Sequence, residues 1–223
     1  LSEYSHTPVM MQLRIRTCHL QGKFISKNNI KPQISNANKV KEVAPHNYDL
    51  IAHPPSTYAQ EKLKYGQRAK LAKAFISNNS LNEIFEGEIE EIGLIVQGGL
   101  YNNLISALNE MNMSDSLGNT KISIYVLNIV HPLIPDEVLS YSKKFKAILV
   151  IEEGQPQYIE QEIGLLFHKK KIEVNLAGKD VLPMAGEYTS EVIHKGVFNF
   201  INKYVPEFSN LSNLDYNTEV DQL

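Results

Sequence analysis

Apolar positions along the chain fall into two regimes. From residue 92 onward, short apolar runs alternate with stretches in which apolar residues recur every three or four positions. The runs 92–96, 122–130, 147–151 and 172–176 are rich in Ile, Val and Leu, a composition that predicts strands buried on both faces. Between them, 101–111 places Leu104, Ile105, Leu108 and Met111 at helical spacing. The stretch 135–145 opens with Pro135, suited to a first helical turn. A third helix is predicted over 156–167, with Ile159, Ile163, Leu166 and Phe167 facing inward, and a fourth over 190–204, striped by Val192, Ile193, Val197, Phe198 and Ile201. Strands alternating with helices predict an α/β fold, a mainly parallel sheet with helices on both faces and right-handed crossovers.

Upstream the pattern differs. Val9, Met10, Met11, Leu13 and Ile15 predict a buried strand over 9–17. A lone leading strand cannot cover both its faces, so the parent protein is expected to be longer and this chain an excised segment. Residues 21–54 hold Pro32, Pro45, Pro54 and several Asn and Lys with no sustained period, and read as a long connection. Ser56 or Thr57 caps a predicted helix running to about Ser77, with Tyr58, Leu63, Leu71, Ala72 and Phe75 on its apolar side. A turn around Asn78, Asn79 and Ser80 ends it. The expected organisation is therefore 1–24 as the end of a preceding domain, 25–90 as a connection with one long helix, 91–206 as one α/β domain, and 207–223 as a loose tail.

Composition narrows the class. At 223 residues and 43% hydrophobic, the chain suffices for one large domain, or one domain plus a fragment of another. With 22 Lys+Arg against 25 Asp+Glu, and no basic stripe or RNA motif, nucleic acid is not an expected partner. The longest apolar runs are too short to cross a bilayer, and no basic start precedes an apolar leader core. Cys18 is the sole cysteine. It excludes a disulfide framework and a cysteine-ligated iron–sulfur cluster within this chain, and fits a reducing, cytoplasmic setting.

Candidate chemistry is sparse. Gln97, Gly98 and Gly99 lie between a predicted strand and helix, where open α/β sheets bind ligands at a helix N-terminus. The sequence is neither GxGxxG nor a P-loop, and a tight turn is the favoured reading. Glu152 and Glu153 follow a strand, where carboxylates can do acid–base work. Neighbours in a strand point to opposite faces, so at most one faces a given site, and the other is free to contact a neighbour or cap the helix starting near Pro156. Structure is favoured over catalysis here. Cys18 and His19 invite a nucleophile–base reading but do not meet side chain to side chain, and His6, His46, His53, His131, His168 and His194 show no metal spacing. Arg16 and His19 leave the end of the leading strand and are the only candidates for contact with a cofactor or substrate. No catalytic residue and no metal site is expected.

Six segments carry a resemblance: LRIRTCHLQG (13–22), AHPPSTYAQEKLK (52–64), LIVQGGLYNNLISAL (94–108), YVLNIVHPLIPDEVL (125–139), VIEEGQPQYIEQ (150–161) and GKDVLPMAGEYTSEV (178–192). In this order and spacing they closely resemble indolepyruvate ferredoxin oxidoreductases, within the 2-oxoacid:ferredoxin oxidoreductase family. The likeness is to the large, thiamine-diphosphate-binding (alpha) subunit and runs from about residue 7 to residue 204. The connection 23–50 and the tail beyond 206 add nothing to it.

The resemblance implies a larger architecture: a pyrimidine-binding domain, a transketolase-C-terminal-like domain, then a diphosphate-binding domain. This chain would hold the last strand of the first and the whole of the second. The cofactor-activating glutamate would lie upstream of it, and the magnesium and diphosphate ligands and cluster cysteines also outside it. The implied reaction is oxidative decarboxylation of an aryl 2-oxoacid with coenzyme A, giving an aryl-acetyl-CoA, carbon dioxide and reduced ferredoxin. Implied partners are neighbouring domains, a second oxidoreductase subunit or domain, ferredoxin, coenzyme A and a further copy in a homo-oligomer, with no nucleic acid or membrane. Pyruvate and 2-oxoglutarate relatives, and a non-catalytic assembly module, are the alternatives.

Overall fold

A computed structural model describes residues 1–13, 51, 53–115 and 117–206. The chain divides into two compact units, Leu1–Leu71 and Ala72–Leu223.

The first unit opens with a one-turn helix, α1 (Ser2–Ser5), closed by His6 in the left-handed region at φ 51°. The buried strand expected from Val9 is not found over its described part. Residues 8–13 belong to no helix or strand, and Met10 and Met11 are 94% and 77% exposed. A strand requires a hydrogen-bonded neighbour, and none of the described strands pairs with this stretch. Positions 14–17 lie outside the described residues. Helix α2 (Ser56–Leu63) passes into a π-helical turn at Lys64–Arg68 and then α3 (Ala69–Asn78), matching the long helix read from sequence. Arg68 reaches back to Gln60 at 2.8 Å. Of the side chains expected to form its apolar side, Tyr58 and Leu63 are exposed, while Ala72 is buried.

The second unit is built on a five-stranded sheet: β1 (Glu83–Phe85), β2 (Ile89–Gln97), β3 (Ile122–Leu127), β4 (Ala147–Ile151) and β5 (Asn175–Ala177). Its order is β1-β3-β2-β4-β5, parallel throughout except for β1 against β3. Helices α4 (Tyr101–Glu110) and α7 (Ser190–Tyr204) cover one face, packing Leu104, Leu108, Ile193, Val197 and Phe200 on Leu94, Val96, Ile124 and Leu149. Helices α5 (Pro135–Ser142) and α6 (Tyr158–Lys170) cover the other, packing Val138, Tyr141, Ile159 and Ile163 on Ile95, Tyr125, Ile148 and Val150. Alternate residues of each strand thus feed the two cores, as a period of two requires. The fold is α/β, with a mainly parallel sheet between two helical layers.

Departures from the expected boundaries have local causes. The last strand starts at Asn175 rather than 172, because Lys171 ends α6 in the left-handed region at φ 54°. The Ile172 amide then donates to the Phe167 carbonyl at 3.0 Å, a helix-closing bond rather than a ladder bond. Edge strand β1 has no hydrophobic run to announce it. Tyr141 fills the irregular pairing between β2 and β3: its hydroxyl accepts from Leu94 N at 3.0 Å and lies 2.7 Å from the Ser123 carbonyl it can donate to. Gly93 leaves room for this, since a Cβ there would stand 2.7 Å from the Phe145 ring.

Candidate functional site

Strand order fixes where a ligand crevice would form. β2 connects to β3 on one side through α4, and β4 connects to β5 on the other through α6. The two neighbouring strands therefore send their chains apart on opposite faces. The C-terminal ends of such a pair are the topological switch point, where open parallel sheets bind ligands. Gln97 and Gly98 end one strand; Glu152 and Glu153 end the other. The two motifs singled out in the sequence are brought together here, with the Glu153 amide donating to Gln97 Oε1 at 3.0 Å.

The turn after β2 is tight for a packing reason. A Cβ on Gly98 would lie 2.6 Å from Asn128 Oδ1, on the loop that leaves β3. Asn128 is in turn anchored through its side-chain amide to the Leu81 carbonyl and to Glu83.

The carboxylate pair divides between the faces. Glu152 is buried, and it accepts from the amide of Ile159, 3.0 Å from each of its oxygens, and from Glu160 N at 3.2 Å. It is the cap of α6, the structural role considered for one of the pair, for a helix that starts at Tyr158. Glu153 turns the other way and accepts from Tyr188 N at 2.7 Å, just before α7. Thr189 caps that helix by accepting from Val192 N.

The loop between β5 and α7 closes the crevice. Lys179 donates its ammonium to the Glu152 carbonyl and to the Tyr188 hydroxyl, both at 2.6 Å, and lies 4.6 Å from the Tyr188 ring centre. The Tyr188 hydroxyl donates to the Pro183 carbonyl at 2.5 Å, and Asn103 of α4 donates to the Tyr188 carbonyl at 2.8 Å. The Glu160 carboxylate accepts from Lys179 N at 3.0 Å and lies so close to Gly178 that a Cβ there would overlap it. Burial pushes the Lys179 ammonium below its ordinary pKa, against the pull of the Glu152 and Glu160 carboxylates. Burial, then the same two carboxylates, pushes the Tyr188 hydroxyl up to about 12. Asp180 beside them is raised by burial, but hydrogen bonds from Lys203 and the Gly178 amide hold it below the usual carboxylate range.

Chemically, this arrangement is closed on itself. The amides that begin α6, which in this fold type would receive a phosphate, are taken by Glu152. Lys179, the cation at the crevice, is engaged by backbone carbonyls and a phenol. Glu152, Glu153 and Lys179 thus each bond to another part of the same domain. Lys179, Glu160 and Tyr188 carry no local signal of this role. Lys179 is 19 residues from Glu160 and 27 from Glu152, and Tyr188 is 35 from Glu153; only folding joins them.

Arg16 and His19, with Cys18, lie outside the described residues. Of the remaining histidines, His194 is buried on α7 with Nδ1 3.3 Å from Glu110. His53 contacts the carbonyl of Pro54 at 2.9 Å. Among the described residues no three His, Cys, Asp or Glu side chains stand together to hold a metal ion, and no helix is long and apolar enough to cross a membrane.

No family model matches the chain, and no curated protein matches it. Among solved structures it is similar to a 2-oxoglutarate:ferredoxin oxidoreductase from Magnetococcus marinus with 2-oxoglutarate, coenzyme A and succinyl-CoA bound. The likeness has a TM-score of 0.42 and 18% identity, and covers 70% of this chain and 24% of that chain. This chain thus matches less than two thirds of that protein's length. At this score the α/β assignment rests on the chain's own strand order.

Proposed function

We propose that this chain is the transketolase-C-terminal-like domain, with the end of a pyrimidine-binding domain, of a 2-oxoacid:ferredoxin oxidoreductase of the indolepyruvate type. The parent enzyme would oxidatively decarboxylate aryl 2-oxoacids with coenzyme A, using thiamine diphosphate, magnesium and iron–sulfur clusters held by other segments. Within it this domain has a structural role and holds neighbouring domains and subunits in register. The enzyme class rests on the six sequence segments in order. The structural role rests on one observation, the switch-point crevice filled by Glu152, Glu153, Lys179 and Tyr188 of the domain itself.

The test is anaerobic viologen reduction by the full-length native protein with thiamine diphosphate and coenzyme A. Indolepyruvate is compared with pyruvate and 2-oxoglutarate. Faster reduction on the arylpyruvate supports the reading. Faster reduction on pyruvate or 2-oxoglutarate moves the chain to a relative within the family. No reduction on any oxoacid leaves the assembly module.

A further inference from the structure

We draw no further inference here: the strongest candidate, the surface patch of exposed lysines where α5 and α6 end (Lys143, Lys146, Lys169, Lys170 and Lys171), carries nothing because nothing among the described residues shows what covers it.

Discussion

Glu152 shows how much one side chain decides here. It is buried, yet it satisfies the first amides of α6, and through its carbonyl it holds Lys179. Replacing it by Ala removes the cap and leaves those amides buried without acceptors, which costs about 2 kcal/mol. Urea denaturation of Glu152→Ala measures this; a loss within a few tenths of a kcal/mol would mean water replaces the carboxylate freely. Tyr188 gives a pH signature. Its folded pKa of about 12 lies above the unfolded value of about 10. The contribution is therefore fully present below the unfolded value and is lost as pH rises through the folded one. Lys179, depressed when folded, works oppositely: its contribution grows as pH rises through its lowered value. Thermal melts above pH 10 should show a steep loss for the parent chain and a shallower one for Tyr188→Phe. Equal slopes would remove Tyr188 as the cause.

Among the elements, those with strong periodicity are legible in the sequence, and those defined by partners are not. β4 and α7 match their expected ends, because an unbroken apolar run and a 3.6-residue stripe each bury against the same neighbours along their whole length. β1 has no such run; it exists because β3 offers an open edge. The strand expected over residues 9–17 fails over its described part for the converse reason: its side chains suit a strand, but none of the described strands runs beside it. The candidate site divides similarly. Gln97 to Gly99 and the Glu152–Glu153 pair stand out because they end strands, whereas Lys179 and Tyr188 are joined to them only by the return of the chain through α6 and β5. Tyr141 ties two of these elements together. Its hydroxyl serves Leu94 and Ser123 in the buried seam of β2 and β3. Tyr141→Phe should cost about 2 kcal/mol and speed hydrogen exchange at the Leu94 amide. Unchanged protection at Leu94 would show that the seam does not depend on the hydroxyl.

For the whole molecule, the fold creates the crevice in which α/β sheets bind ligands, and the domain fills it with its own side chains. The proposed role of the domain, holding its neighbours in register, rests on this crevice and on the six segments. The most direct test is calorimetric titration of this chain with thiamine diphosphate and magnesium, and separately with coenzyme A. No saturable heat is expected with either. Saturable binding in the micromolar range, lost on changing Glu152 or Lys179, would show that the crevice opens to a ligand and would contradict a purely structural domain.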